Sequence, residues 1–502
     1  MDIRRALRAF GVAGVVLTCW AVGSGAPALA GQAGPERTGE AAAAAAAAPE
    51  LQVSGNRLVT ESGDTFRPLG VNRSGGEFGC VQGKEIFDGP VDQAAVDAMK
   101  TWHVNTVRVP LNEECWLGTE GVPAGGPGAA EYQQAVEDYA NLLVANGINV
   151  ILDLHWSRGE YTGPGAGCPD VAATCQKPMP DLQYAPEFWS QVATAFKGND
   201  AVIFDLFNEP YPDAANNWSD ATAAWTCLRD GGTCAGIGYE VAGMQTLVDA
   251  VRATGATNVI MTGGLEWTNN LSQWLDYRPD DPTGNLMASW HSYNFNGCVT
   301  TSCWDGTIGT VAAQVPVQIG ETGQDTCAHD YIDQVMNWAD AHGVGYTAWT
   351  WNPWGCTGGS VLIADWNGTP TSTYGEGFRD HLLTQNPGDG TDPDPGTAAC
   401  RVAVGIQSWG TGLTETLSLT NTGTTAVNGW SLAFDLPEGQ TITNGWNATY
   451  SPGSGHVTAT HAAYNATLAP GATLSLGFQA THTGNAGAPT GFTLNGSPCT
   501  TS

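Results

Sequence analysis

Between residues 51 and 385 the chain alternates short apolar runs with amphipathic stretches. Eight of the runs read as strands: Pro68 to Val71, Thr106 to Val109, Val150 to Leu154, Val202 to Phe207, Val259 to Thr262, Leu286 to Trp290, Val317 to Gly320 and Gly345 to Thr350. Helical spacing falls between them, as over Val91 to Trp102, Tyr132 to Asn146, Pro186 to Phe196 and Tyr239 to Ala253. Eight β/α alternations of this length predict an α/β fold, a (β/α)8 TIM barrel, over 51–385. A doubly wound sheet is the rival, but no glycine-rich phosphate loop follows the first strand.

The pattern changes after residue 397. Thr414 to Leu419, Trp430 to Leu436, His456 to Thr460 and Thr473 to Gln479 alternate or are β-rich, with Gly, Asn and Pro between them and no helical spacing. This predicts a small all-β sandwich over 398–502. Two low-complexity segments set the boundaries. Residues 31–50 are a Gly/Ala-rich spacer with eight consecutive Ala, and 386–397 form a Pro/Asp/Gly linker that should stay extended and solvated.

Composition narrows the partners. Hydrophobic residues make up 42% of the 502, enough for two cores, while 18 basic against 49 acidic residues give a net charge of −31. That field disfavours nucleic acid and anionic lipid. Charged residues are only 13%, beside 19 Trp, 13 Tyr and 13 Phe, which suits stacking on flat, uncharged ligands. At the N-terminus, Arg4, Arg5 and Arg8 precede an apolar stretch from Ala9 to Val22 and an A-x-A site at Ala28-Leu29-Ala30. Residues 1–30 are therefore expected to be a signal peptide, with the mature chain secreted and extracellular. No other stretch is long and apolar enough to span a membrane. Of the 13 Cys, the signal peptide holds Cys19; the other twelve are an even number, which favours disulfides in a secreted chain. The pairs 168/175, 227/234 and 298/303 are close enough to staple single loops. No C-x-x-C spacing occurs, so no metal and no cofactor are expected.

Barrel enzymes carry their reacting groups at the C-terminal ends of the strands. Those ends read Arg108-Val-Pro110, Asp153-Leu-His155-Trp156, Asn208-Glu209-Pro210, His291-Ser-Tyr293, Gly320-Glu321-Thr-Gly323 and Trp349-Thr-Trp351. A lone Glu at such a place is usually a solvated loop residue. Two of them, Glu209 and Glu321, sit three strands apart on a rim that also carries Arg, Asn, two His, Tyr and Trp. Paired carboxylates across a pocket are what glycosidic bond hydrolysis requires, one protonated to donate and one ionised to attack or to activate water. His155 and His291, beside Trp156 and Tyr293, read as pocket residues, whereas His103, His329 and His342 fall in helical stretches and read as structural or exposed. H-E-x-x-H and G-x-S-x-G are both absent, which argues against a zinc hydrolase and a serine esterase.

These strand-end motifs, N-E-P after an apolar strand first and G-E-T-G next, resemble glycoside hydrolase family 5 over the whole of 51–385. The resemblance implies Glu209 as acid/base, Glu321 as nucleophile and retention of configuration. It also implies Asn208 on the sugar 2-hydroxyl, Arg108 holding Glu321 ionised, Tyr293 bonded to the nucleophile, His155 and His291 lining the −1 subsite, and Trp349 as the sugar platform there. Trp351 faces the other way by strand alternation. Glu113, Glu114 and Glu266 are additional strand-end acids with no place in that pattern, to be weighed as subsite residues.

The C-terminal segment resembles a family 2 carbohydrate-binding module nearly end to end, through Trp409-Gly-Thr-Gly, Asn421-Thr-Gly423, Asn428-Gly-Trp430, Asn444-Gly-Trp446-Asn447, Tyr464-Asn-Ala-Thr and Leu468-Ala-Pro470-Gly471. The resemblance implies a stacking strip of Trp409, Trp446 and Tyr464 and a bridge from Cys400 to Cys499. Trp430, which opens the alternation Leu432-Phe434-Leu436, reads as core. The expectation is a secreted, monomeric cellulase-like hydrolase of β-1,4-glucan with an attached cellulose-binding module. A mannanase or other β-glycanase of the same family is the alternative, and a non-catalytic polysaccharide-binding protein the other class.

Overall fold

The structure is a computed structural model describing residues 47–123, 126–356, 359–385, 400–423, 427–437, 439–462, 464–495 and 497–501. The expected signal peptide, nearly all of the 31–50 spacer and the 386–397 linker lie outside the described residues.

Eight parallel strands close into a barrel in chain order: β1 (Leu69–Asn72), β2 (Thr106–Asn112), β3 (Asn149–Trp156), β4 (Val202–Asp205), β5 (Ile260–Thr262), β6 (Leu286–Tyr293), β7 (Val317–Gly323) and β8 (Gly345–Ala348). β8 pairs with β1, as Tyr346 opposite Leu69, and β4 pairs with β5, which completes the ring. Every residue of β1, β2, β4, β5, β7 and β8 is buried. Helices cover the outside, so the strand faces turned away from the barrel axis are as dry as those turned toward it.

All eight strands stand where the apolar runs predicted them. Several run further: β6 reaches Tyr293 and β7 reaches Gly323, so His291 and Glu321 belong to the strands themselves and not to the loops after them. The helix expected from Tyr239 begins at Met244 instead. Glu240–Ala242 pairs with Gly231–Thr233 in a two-stranded ribbon, and that pairing takes the backbone groups a helix would need. The first helix covers Gln93–Lys100, begun by Asp92, whose carboxylate accepts from the backbone N–H of Ala95 at 3.0 Å.

A three-stranded antiparallel sheet, Leu51–Ser54, Arg57–Thr60 and Thr65–Phe66, was not anticipated. Its Leu51 and Leu58 pack with Ile151, Ile203, Val259, Met261 and Met287, which lie in or beside the N-terminal ends of their strands. The sheet therefore covers the end of the barrel opposite the candidate site.

The described C-terminal residues form two five-stranded sheets and one short antiparallel pair, Val427–Asn428 with Thr467–Leu468. One holds Gln440–Trp446, Thr473–His482, Gly412–Asn421, Cys400–Trp409 and Thr500–Thr501. The other holds Ala448–Ser451, His456–His461, Ser431–Asp435, Thr490–Leu494 and Ser497–Pro498. Trp430, Leu432, Phe434, Leu417, Leu476 and Phe478 are fully buried in its core, as sheet-on-sheet packing requires. Trp430 is a core residue as expected, its Nε1 donating to the carbonyl of Asn465 at 2.7 Å.

Among the described residues there are six disulfides. Cys168–Cys175, Cys227–Cys234 and Cys298–Cys303 are the three local staples, and Cys400–Cys499 joins the two ends of the sandwich. Of the two bridges that sequence spacing left open, Cys80–Cys115 ties the loop after β1 to the short helix Glu113–Leu117 after β2, and Cys327–Cys356 ties the loop after β7 to that after β8.

Candidate active site

Arg108, on β2, is the hub. Its side chain is fully buried, and each of its polar atoms meets an acceptor. Nε donates to Asp205 at 3.0 Å; Nη1 donates to Asn72 and to Glu321 Oε1, both at 3.0 Å. Nη2 donates to Asn208 Oδ1 at 2.9 Å and pairs with Asp153 at 3.0 Å. The planar guanidinium fork suits such a set of fixed acceptors better than an ammonium would. Burial alone would favour its neutral form, but Asp153, Asp205 and Glu321 outweigh this and raise its pKa.

Glu321 is buried on β7. Oε1 takes the Arg108 bond and Oε2 accepts from the Tyr293 hydroxyl at 2.7 Å. Two fixed donors thus hold the carboxylate in one orientation. The glycines around it allow close packing: a Cβ at Gly320 would stand 2.8 Å from His291 Nε2, and one at Gly323 2.7 Å from the Tyr293 ring. The G-E-T-G motif is accordingly a packing requirement as well as a chemical one.

Glu209 follows β4 and differs from Glu321 in its surroundings. It is half-buried, and Oε1 lies 3.0 Å from Nδ1 of His291. Desolvation raises its pKa from 4.5 to about 7, with the charge of His155 acting in the opposite direction. His291 is fully buried and its pKa falls to about 3, desolvation being the main cause, so it stays neutral beside the two acids. The same His291 Nδ1 lies 3.9 Å from Glu321 Oε2.

His155 projects from β3 with Asp153, two residues away on the same face of the strand. Its Nδ1 lies 2.6 Å from Asp153 Oδ2, and its ring stacks on Trp349 with centroids 5.7 Å apart and 14° between the planes. Burial would lower the pKa of His155, but Asp153 reverses this and the net direction is upward. Trp349 is half-buried and faces the pocket, while Trp351 is fully buried edge-on against Trp102.

The structure therefore brings Arg108, His155, Asn208, Glu209, His291, Tyr293, Glu321 and Trp349 together at one end of the barrel. It also adds Asn72, Asp153 and Asp205, which sequence reading did not single out as site residues. Asp153 carried a signal in its i, i+2 relation to His155; Asn72 ends β1 without any motif. Glu113 and Glu114, in contrast, are buried away from the pocket. Glu114 pairs with Arg158 at 2.7 Å and accepts from the backbone of Ala173 at 2.9 Å, while Glu113 lies against Asp181. These acids anchor the long loop after β3. Glu266 accepts from Asn270 at 2.8 Å and forms no hydrogen bond with Glu209 or Glu321.

Among the described residues, Glu209, His291 and Glu321 form the one group of three metal-ligand side chains, with one ligand-type atom from each within 4.8 Å of the others. The Arg108 charge fixed on Glu321 opposes a cation there. Among the described residues no helix is long and apolar enough to cross a membrane.

In the sandwich, Trp409 is 55% and Tyr464 76% exposed, and Trp446 is half-buried over Gly477.

A closed eight-stranded barrel with two carboxylates facing each other across its C-terminal rim is the architecture of a glycoside hydrolase. The family model for cellulase (glycosyl hydrolase family 5) matches residues 63–355, and that for the cellulose binding domain matches 399–499. The chain belongs to glycosyl hydrolase family 5 and carries a cellulose binding domain after the barrel. It is 27% identical over 359 residues to Endoglucanase 1 of Robillarda sp., an alignment covering 61% of this chain and 84% of that protein. It is 51% identical over 102 residues to Exoglucanase B of Cellulomonas fimi, covering 20% of this chain and 9% of that protein. The chain thus spans about a tenth of the length of the first relatives it matches. A β-glucanase from Saccharophagus degradans shares the fold, with a TM-score of 0.52 at 21% identity, covering 68% of this chain and 95% of that one.

Proposed function

We propose that this protein is a secreted, monomeric, retaining endo-β-1,4-glucanase held on cellulose by its C-terminal module. One observation carries the reading: two facing carboxyl groups stand in opposite surroundings, Glu321 between two fixed donors and Glu209 desolvated with its pKa raised to about 7. Such a pair divides into attacker and proton donor. Their ligand-type oxygens lie within 4.8 Å of one another, which leaves no room for a water between Glu321 and the sugar and favours the retaining mechanism.

In the first step Glu321 attacks the anomeric carbon while Glu209 gives its proton to the leaving glycosidic oxygen. In the second, Glu209 takes a proton from water, the water oxygen attacks the same carbon, and Glu321 is released with the β-configuration restored. In this reading Asn208, held by Arg108, bonds the sugar 2-hydroxyl, and His155, His291, Tyr293 and Trp349 line the −1 subsite. Glucan as substrate is supported by the names of the relatives along the barrel, Endoglucanase 1 of Robillarda sp. and Endo-beta-1,4-glucanase A of Emericella nidulans. The exposed rings of Trp409 and Tyr464, with Trp446, supply a stacking surface for cellulose. The test is hydrolysis of cellulose, carboxymethyl-cellulose, glucomannan, mannan, xylan and galactan with products separated by size. Internal cleavage of β-1,4-glucan fastest is the expected result. Faster cleavage of mannan, or release of cellobiose alone from chain ends, would contradict it.

A further inference from the structure

Three consecutive non-glycine residues after β5 lie in the left-handed region: Glu266 at φ 54°, Trp267 at φ 55° and Thr268 at φ 62°. Left-handed backbone is unfavourable for residues with a Cβ, and runs of it persist only where surrounding contacts hold them, often at functional sites. The contacts here converge on Glu209. The Thr268 hydroxyl donates to the carbonyl of Asn208 at 3.0 Å, and the Trp267 N–H donates to the carbonyl of Pro210 at 3.1 Å. These are the carbonyls on either side of Glu209, whose own carbonyl accepts from Gln176 Nε2 at 2.7 Å. The next residue, Asn269, is buried and donates from Nδ2 to the carbonyl of His291 at 2.8 Å, while its Oδ1 accepts from the N–H of Cys298 at 2.8 Å. His291 is the residue whose Nδ1 meets Glu209 Oε1. Room for the turn is left by Gly263, where a Cβ would collide with Thr268, and by Gly165, where it would stand 2.7 Å from Trp267.

One short turn thus fixes the main chain on both sides of Glu209 and the main chain of its imidazole neighbour. A right-handed turn would send the Trp267 N–H and the Thr268 hydroxyl in other directions. Resting on the assignment of Glu209 as proton donor, we infer that the left-handed turn Glu266–Thr268 together with Asn269 is a positioning device for that proton donor, with Thr268 and Asn269 as its positioning residues.

The device acts on proton donation, so its loss should be felt only where the leaving group needs a proton. The experiment measures kcat/KM, which reports the first step, on phenyl and on 2,4-dinitrophenyl β-cellobioside, for the full chain and for Glu209→Ala, Thr268→Val, Thr268→Ser and Asn269→Ala. Glu209→Ala calibrates the donor, with a large loss on the phenyl substrate and a small one on the dinitrophenyl substrate. Thr268→Val and Asn269→Ala should lose about tenfold or more on the phenyl substrate, a part of the 10²–10⁴ that a general acid supplies. They should stay within about twofold on the dinitrophenyl substrate, and Thr268→Ser, which keeps the hydroxyl, should recover most of the loss. Equal losses on both substrates, or no loss on either, would overturn the positioning role. A Glu209→Ala enzyme without leaving-group dependence would instead overturn the donor assignment on which it rests.

Discussion

Arg108 Nη1 binds Glu321 Oε1 at 3.0 Å, and the same guanidinium holds Asn208 through Nη2 at 2.9 Å, so one buried cation sets the positions of two residues proposed to contact the sugar. It also pairs with Asp153 and Asp205, each at 3.0 Å, whose side chains are completely buried. Arg108→Lys offers a single nitrogen to this group of acceptors. A loss of about 3–5 kcal/mol in stability is expected from leaving a buried partner unpaired. A fall of at least about 10²-fold in kcat/KM should accompany it, as for loss of a substrate-orienting group. Thermal melting and steady-state kinetics measure the two effects. A lysine variant with both values near those of the parent would show that the fork geometry is dispensable.

The alkaline limb of the pH–rate profile should report Glu209. Its pKa is raised to about 7, so Glu209, the proposed donor, is protonated below that pH and loses its proton above it. The positive charge of His155 pulls that pKa down. His155→Gln removes the charge, so the limb in kcat/KM should move to higher pH even though the peak rate falls. A limb that stays in place, or shifts to lower pH, would detach His155 from the titration of Glu209.

Much of this site was legible because its chemistry sits at strand ends. Apolar runs located all eight strands, and the residues closing them could then be read off in order. The less visible parts are those held by backbone geometry. Nothing in Leu265-Glu-Trp-Thr268 announces three left-handed residues, because the conformation is imposed by Pro210, Asn208 and the empty space at Gly263. Asn72 was equally hidden. It earns no motif, and its role follows from β1 lying beside β2 and from its Nδ2 bonds to Gly320 and Thr347 across the barrel. The helix begun too early at Tyr239 shows the converse error, where local apolar spacing yields to a ribbon pairing of Glu240–Ala242 with Gly231–Thr233.

The sandwich contains an acid with no partner. Glu415 lies between Leu413 and Leu417 on the buried face of its strand, and neither carboxyl oxygen meets a donor. Desolvation raises its pKa to about 8. The unfolded chain ionises this group near pH 4.5, so the stability of the sandwich is fullest below that pH. It should fall as the pH rises to about 8 and change little beyond it. Calorimetry of the full chain at several pH values should show this decline in the melting of the sandwich, and Glu415→Leu should flatten it. An unchanged slope in the variant would place the pH dependence elsewhere.

Removing residues 398–502 should leave hydrolysis of soluble carboxymethyl-cellulose nearly unchanged and reduce hydrolysis of insoluble cellulose, because tethering raises local concentration and not the chemical rate. Trp409→Ala and Trp446→Ala should each weaken adsorption by about 1–3 kcal/mol, on the scale of aromatic stacking against other planar ligands. Binding isotherms on microcrystalline cellulose measure this directly. Equal loss on both substrates after truncation would mean that the module supports the barrel and not the contact with cellulose.

The assignment of Glu321 as nucleophile is tested most directly by trapping the intermediate. A 2-deoxy-2-fluoro-β-cellobioside with a good leaving group slows the second step more than the first, so the glycosyl–enzyme ester should accumulate. Peptide mapping by mass spectrometry should then place one cellobiosyl adduct on the peptide containing Glu321, with Glu321→Gln unlabelled and slowed about 10⁴-fold or more on ordinary substrate. An adduct on any other carboxylate, or rapid turnover of the probe with no adduct and an α-configured product, would contradict the account.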